Sequence, residues 1–476
     1  MIRLSNRIAI FLGFLVVACL PCVLWAQASL NPNPVDPFPP NIQELLKNSE
    51  KNKGLAEAIQ AFQAGNPQKL KESLIQAQTL NPDFPAPDVM LARMFMAARK
   101  WPDAMSVLEG HLTTKPNDAD AYKSLGEVAI VSGRWTDAWL NLEKAGSLMD
   151  GMKYSAARKQ SFTAELIKLR AETAERRQDL PLATKLFDEL AKLQPKDGYP
   201  QWSLGRLKIA TGDLDGGMAL LKKGKQLTTT LPQPELAVAL ELLGGKDRVK
   251  AEKWFKEGIL AKDTATEANW VQYLKFLVDE DRASEAKGLI EKAPADYQKS
   301  RDMKLLKAVA HRYLNEDTDA ERILSELHRA NPEDLDAADQ LALVLVETSD
   351  EGKRARAGQI SEANLRQAPN AEKIAATAAW VKFRTGSVDV ADNLLGQIIK
   401  GGQISPQTLY YSAMLLKARG KTVEAAQFFK AAVEAPGSFP QKKVAKAEVP
   451  VAALAPAPPA APAPVVPLPT ATPKKK

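Results

Sequence analysis

The sequence contains two similar stretches that begin 79 residues apart. The first, SLGEVAIVSGRWTDAWLNLEKA, begins at Ser124, and the second, SLGRLKIATGDLDGGMALLKKG, begins at Ser203. Both fit a repeat of 34 residues, with one insertion at 153–163. The repeats begin near residues 51, 85, 119, 164, 198, 232, 267, 301, 338, 372 and 406. Such a period is typical of arrays in which each repeat buries one face against its neighbours.

Side-chain size within each repeat predicts a pair of packed helices. Position 20 is small in ten of eleven repeats, as close helix packing requires. Its residues are Leu70, Ala104, Ala138, Ala183, Gly217, Ala251, Ala286, Ala320, Ala357, Ala391 and Ala425. Position 24, one turn later, is mostly large and apolar, and this spacing puts both positions on one helix face. Four glycines at position 15, Gly133, Gly212, Gly386 and Gly420, are suited to the left-handed turn that ends a first helix.

The residues at these positions resemble the tetratricopeptide repeat. The repeat beginning at 119 matches that pattern at Tyr122, Leu125, Gly126, Ala129, Ala138, Leu142 and Ala145. The resemblance covers about 51–439, with repeats 1–3 in 51–152 and repeats 4–11 in 164–439. It implies an all-α fold, a right-handed superhelical solenoid of about eleven helix-turn-helix repeats.

The same resemblance implies a binding groove on the concave wall, lined by positions 2, 5, 9, 12 and 13 of each first helix. Trp, Tyr and Arg at these positions are the residue types that most often anchor protein interfaces. The predicted partner-binding residues are Arg93, Tyr199, Trp202, Arg206, Arg312, Tyr313, Trp380, Phe383, Arg384, Tyr410 and Lys417. Trp202 lies one residue from a position that packs in the family, so a packing role remains open for it.

The N-terminus has the pattern of an export signal. Arg3 and Arg7 precede an apolar run from Ile8 to Leu24, and Ala26-Gln27-Ala28 is a small-x-small cleavage site. We expect a signal peptide at 1–28, followed by a linker and the start of the first helix at 29–50. Lipidation of Cys19 and retention of the run as an uncut anchor are the alternatives. Export to the periplasm or envelope of a bacterium follows from each of these readings.

The net charge of +7 is confined to the two ends of the chain. Arg3 and Arg7 supply +2, residues 440–476 supply +5, and residues 29–439 sum to zero. A neutral body lacks the basic stripe that nucleic acid requires, so no nucleic-acid partner is expected. The Pro/Ala-rich segment 440–476 is predicted to be disordered, and its terminal lysines could contact an anionic surface.

No catalytic, metal or cofactor site is predicted from the sequence. No HExxH, CxxC or phosphate-binding glycine loop occurs, and both cysteines lie before Ala28. Glu72-Ser73 is the pair that a lytic transglycosylase would need, but its surrounding motifs are absent. We therefore expect a non-catalytic scaffold that binds proteins or peptides along its groove. The alternative is a wall- or glycan-associated protein that acts through its surface and tail.

Overall fold

The computed structural model describes residues 53–261, 265–369, 371–402 and 404–449, and every regular element in these ranges is helical. The predicted signal peptide with Cys19, the 29–50 linker and the residues after 449 lie outside them. The chain divides into two compact units between Asn269 and Trp270, which we call the N-terminal and C-terminal units.

The N-terminal unit consists of helices in consecutive hairpins, and each helix packs against its hairpin partner. The helices are α1 (Lys53–Gln63), α2 (Pro67–Leu80), α3 (Pro87–Ala97), α4 (Trp101–Thr114), α5 (Ala119–Val131), α6 (Trp135–Ser147), α7 (Ala156–Arg176), α8 (Leu180–Leu193), α9 (Gly198–Ala210), α10 (Leu214–Leu227), α11 (Pro234–Gly244) and α12 (Arg248–Leu260).

The C-terminal unit also consists of helical hairpins, with one short helix between its first two repeats, and its first helix begins three residues before Trp270. Its helices are α13 (Glu267–Asp279), α14 (Ala283–Ile290), α15 (Ala295–Gln298), α16 (Arg301–Tyr313), α17 (Asp317–Ala330), α18 (Leu335–Leu345), α19 (Glu351–Gln367), α20 (Glu372–Arg384), α21 (Val388–Gly401), α22 (Pro406–Ala418), α23 (Thr422–Glu434) and α24 (Lys442–Glu448). The predicted all-α fold of paired helices is confirmed.

Small residues stand where the two helices of a hairpin approach most closely. Ala104, Ala138 and Ala183, all at position 20, are fully buried. In the α9–α10 hairpin even an alanine would not fit, because a Cβ atom on Gly205 would lie 2.8 Å from the carbonyl oxygen of Gly217. The large residues one turn later, such as Leu142, fill the space beside these contacts.

Ten of the eleven first helices in the described ranges end in a left-handed residue at position 15, whether or not that residue is glycine, and α18 is the exception. The four predicted glycines have φ between 68° and 97°. Position 15 also has positive φ in six further repeats, at Gly65, Arg99, Gln178, Lys246, Asp281 and Asn315. At Lys246 the backbone forms a Schellman motif, in which Lys246 N donates to Leu243 O (3.0 Å) and Asp247 N to Leu242 O (2.9 Å). The hairpin geometry therefore imposes this conformation even on Arg99, Gln178 and Lys246, which do not favour it.

Lys246→Gly is expected to stabilise its hairpin by about 0.5–1 kcal/mol, because glycine adopts positive φ without the steric cost that a Cβ atom brings. Lys246 is exposed, so the change removes little packing. Hydrogen exchange of the α11 and α12 amides measures the gain. Gly133→Ala is the matched reverse change, since its Cβ would meet no atom within 4 Å. A loss of stability in the Lys246→Gly chain would contradict this account of the turn.

Three predicted boundaries differ from the structure. Most of the 153–163 insertion is helical, because α7 begins at Ala156 and extends the first helix of its repeat. The predicted repeat starts at 301 and 338 leave three extra residues before 338, but α18 begins at Leu335, so the extra residues lie in the turn between α18 and α19. Disorder from residue 440 is wrong for 442–448, which form α24 with Ala445 buried.

Candidate functional site: the first-helix faces

Side chains at positions 2, 5, 9, 12 and 13 of successive first helices lie on one side of each unit, which we call its first-helix face. In the N-terminal unit this face is strongly charged. Arg93 of α3 lies 3.9 Å from Asp120 of α5, and the other oxygen of Asp120 accepts from Arg158 of α7 at 2.8 Å and from the Tyr154 hydroxyl. Lys123 pairs with Glu165 of α7. Opposite charges thus join three neighbouring first helices.

Arg206 of α9 connects the next three first helices. Its guanidinium contacts Glu175 of α7 at 2.7 Å and donates through Nε to Glu241 of α11. The guanidinium carbon lies 5.3 Å from the Trp202 ring centre, a cation–π distance. Burial raises the pKa of Glu241, although the Arg206 charge opposes that shift. Arg206 therefore supplies a positive charge that opposes the desolvation of the Glu241 carboxylate.

Glu172 of α7 is a buried carboxyl group of this face. The Tyr199 hydroxyl donates a hydrogen bond to Glu172 Oε1 at 2.6 Å. Glu172 Oε2 is buried and accepts no hydrogen bond within the described residues. Burial raises the pKa of Glu172 to about 7, although Lys168 and the Tyr199 hydroxyl favour the ionised form. Desolvation is thus the dominant influence on this group.

Glu172→Gln is expected to stabilise α7 and α9 by about 2 kcal/mol at pH 8 and to have little effect at pH 4.5. The folded chain keeps the Glu172 proton to a higher pH than the unfolded chain does, so this carboxyl lowers stability as pH rises from about 4.5 to 7. Hydrogen exchange across this pH range measures the effect. Glu189→Gln, on an exposed face of α8, is the control. Equal pH dependence of the Glu172→Gln chain and the unchanged chain would contradict the assignment.

The first-helix face of the C-terminal unit contains an aromatic cluster beside charged pairs such as Lys373–Asp336. Trp380 of α20 stacks on Tyr411 of α22 with ring centres 4.4 Å apart, and Phe383 lies 5.5 Å from the same indole. The indole nitrogen donates to Glu347 at 2.7 Å, and Arg384 contacts that carboxylate at 3.1 Å. The cluster satisfies its polar groups internally while burying most of its aromatic surface.

The structure buries some of the predicted groove residues and leaves others accessible. Those with little exposed surface are Tyr199, Trp202, Arg312, Trp380 and Tyr410. Partner binding by Arg93, Arg206, Tyr313, Phe383, Arg384 and Lys417, which keep some exposed surface, stays a prediction. Neighbouring first helices lie close enough to cover the central side chains, so an aromatic ring at a groove position packs against the next repeat.

Charged residues outside the predicted partner-binding set contribute much of this face. Asp120 and Glu165 both occupy position 2, and Lys123 and Lys168 both occupy position 5. An acidic residue at position 2 and a lysine at position 5 therefore recur in two successive repeats, and this pattern is visible in the sequence. Lys123 is buried and paired with Glu165 and Glu127, so it offers no free ammonium group to a partner carboxylate.

Glu72 and Ser73 do not form a shared site, and His111 is engaged within the fold. Glu72 is exposed on α2 and accepts from Gln68 at 2.7 Å, whereas Ser73 is buried in the hairpin. His111 is buried between Asp88 (3.0 Å) and Asp118 (2.9 Å). Within the described ranges, no three His, Cys, Asp or Glu side chains are arranged to hold a metal ion. No helix in those ranges is both long and apolar enough to span a bilayer.

Comparison with known proteins gives distant matches. No family model matches the chain. Cellulose synthase operon protein C of Pseudomonas fluorescens strain SBW25 is 24% identical over 171 residues, which are 35% of this chain and only 13% of that relative. Among solved structures, YrrB, described as a TPR protein with an unusual peptide-binding site, has 17% identity and a TM-score of 0.31, over 40% of this chain and 92% of its own.

Two larger structures cover more of the chain. Yeast Tom70 has 16% identity and a TM-score of 0.35, over 84% of this chain and 96% of its own. The Cut9–Hcn1 hetero-tetramer of APC/C contains a chain with 12% identity and a TM-score of 0.34, over 80% and 78% respectively. The consecutive hairpins, the small residues at their contacts and the left-handed residue that ends ten of the eleven first helices in the described ranges give this chain the tetratricopeptide-repeat fold.

Proposed function

We propose that this protein is a non-catalytic scaffold of the bacterial cell envelope, which binds peptide or helical segments of other proteins on its first-helix faces. The observation that carries the proposal is the charged face of the N-terminal unit. Glu165, whose side chain is 53% exposed, and Lys168 lie about one helical turn apart on α7, and Glu165 is paired with the buried Lys123. Because a buried partner fixes the position of an exposed charge, binding a complementary side chain there costs little conformational entropy.

Two further observations support an envelope location. The apolar run from Ile8 to Leu24 precedes a small-x-small site, and a chain cut after Ala28 would contain no cysteine. The matched relative is named for a cellulose synthase operon. N-terminal sequencing of the protein recovered from the envelope fraction tests this part. A first residue of Ser29 is expected, whereas recovery from the cytosol with an intact N-terminus would contradict export.

The double charge exchange Glu165→Lys with Lys168→Glu tests the binding face without changing the net charge. Partners are captured from the native envelope, identified, purified and titrated against each chain. We expect the exchange to weaken binding by at least about tenfold, because both charges would face like charges on the partner. The matched control exchanges Lys185 and Glu189, both exposed on α8 of the same repeat. Equal weakening by both exchanges, or by neither, would rule out this face.

A second candidate function is association with an envelope polysaccharide, and the name of the matched relative favours it. Co-sedimentation with purified cell wall and with cellulose tests this function. Retention of the full chain on either polymer, lost on removal of residues 450–476, would support a glycan role carried by the tail. If neither polymer retained the chain, the glycan role would be contradicted and the protein-binding role would remain.

A further inference from the structure

In the C-terminal unit, the chain after the last hairpin returns to the first-helix face. The hydroxyl of Tyr313, at position 13 of α16, donates to the carbonyl oxygen of Ser438 at 2.9 Å, across 125 residues of sequence. Ser438 Oγ also lies 3.4 Å from Asp281 in the turn after α13. α24 packs against α23, as a segment that covers the end of the last hairpin would, but Ser438 before it reaches the earlier repeats of α13 and α16.

An aromatic side chain anchors the returning segment. Phe439 is 1% exposed, and its ring centre lies 5.6 Å from that of Tyr410, at position 5 of α22. Gly437, with φ of 101°, supplies the turn that brings Phe439 toward this position. Burial of one phenyl ring at the centre of a contact is typical of the residue that dominates an interface.

An ion pair holds the other end of the segment. After Phe439 the chain forms α24, whose Ala445 is buried, and Glu448 near its end lies 2.6 Å from Lys417 at position 12 of α22. Tyr313, Tyr410 and Lys417, all predicted to bind a partner, are thus in contact with the chain's own residues 438–448.

We propose that residues 435–449 are an internal ligand of the first-helix face of the C-terminal unit. An external partner of this face has the same chemistry: an aromatic residue after a glycine turn, then one to two helical turns that end in a carboxylate. The inference rests on the proposed role of the first-helix faces as binding surfaces. It adds that one of them is self-occupied, so an external partner must displace residues 435–449.

The physical character of the segment suits such an exchange. A helix of seven residues is not stable alone, so α24 depends on the surface on which it lies. Its tether keeps it at an effective concentration on the order of millimolar, so a partner must bind more tightly than the internal segment does to replace it. Both side chains of the Lys417–Glu448 pair remain accessible, which leaves a point where a competing carboxylate can enter.

A labelled synthetic peptide of residues 435–449, APGSFPQKKVAKAEV, tests the proposal by fluorescence anisotropy with the full chain. We expect Phe439→Ala in the protein to increase peptide affinity by at least about tenfold, because the internal competitor loses its anchor. The same peptide with Phe439→Ala should bind neither chain. Equal affinity of the unchanged and Phe439→Ala chains for the native peptide, or binding to neither, would overturn the proposal.

A charge exchange on accessible side chains provides a second measurement, which decides the question if the Phe439→Ala chain loses helical circular dichroism. The Lys417→Glu chain should prefer the Glu448→Lys peptide over the native peptide by about threefold to fivefold, and the unchanged chain should show the opposite preference. Lys421→Glu, an exposed change of the same charge nearby, is the control and should preserve the original preference. If Lys417→Glu did not reverse the peptide preference, the assigned contact between Lys417 and Glu448 would be contradicted. Because only the chain's own peptide is used, these results are independent of whether the α7 face captures an envelope protein.

Discussion

A Trp202→Ala chain is expected to open α9 and α10 to hydrogen exchange at a free energy about 3–5 kcal/mol lower than the unchanged chain. The indole is 1% exposed, and α10 approaches it so closely that a Cβ atom on Gly224 would lie 2.9 Å from Trp202 Cβ. Neighbouring backbone this close cannot collapse fully into the space that the indole leaves, so most of the cavity cost remains.

The outcome also separates the two roles that the sequence left open for Trp202. Leu140→Ala, at a side chain that is 61% exposed, is the control and should change stability by no more than about 0.5 kcal/mol. If Trp202→Ala cost less than about 1 kcal/mol while partner binding fell, the indole would be an interface anchor and its packing role would be wrong.

Arg206→Ala is expected to destabilise α9 and α11 by a similar amount, about 3–5 kcal/mol, because it leaves buried carboxylates without their cation. Glu241 and Glu175 both contact this guanidinium, and the Glu241 side chain is only 7% exposed. Hydrogen exchange of the α11 amides at pH 7.5 measures the loss. The loss should shrink toward pH 5, where protonation removes the uncompensated charge.

A double variant distinguishes the charge effect from lost packing. Glu241→Gln in the Arg206→Ala chain should recover about 1–2 kcal/mol, since the remaining buried group is then neutral. Arg134→Ala, at an exposed arginine paired with Asp137, is the control and should cost no more than about 1 kcal/mol. No recovery in the double variant would show that the Arg206 side chain stabilises through packing alone.

The groove residues illustrate how far a repeat pattern predicts a site. Position 9 places Trp380 on the first-helix face, and the structure finds it between α20 and α22, stacked on Tyr411. Whether the Trp380 ring is exposed to solvent or buried depends on the distance between neighbouring first helices, which a 34-residue period does not specify.

The sequence by itself determined the paired helices, the close contacts at position 20 and the turns at position 15, because these depend on side-chain size and backbone geometry within one repeat. Only the tertiary structure decided which groove residues are covered, which charges join across repeats, and that residues 438–448 reach Tyr313 and Lys417. The physical reason is distance along the chain. Local interactions repeat with the sequence and can be recognised in it, whereas the Tyr313–Ser438 contact forms between residues 125 positions apart and depends on the accumulated geometry of the helices between them.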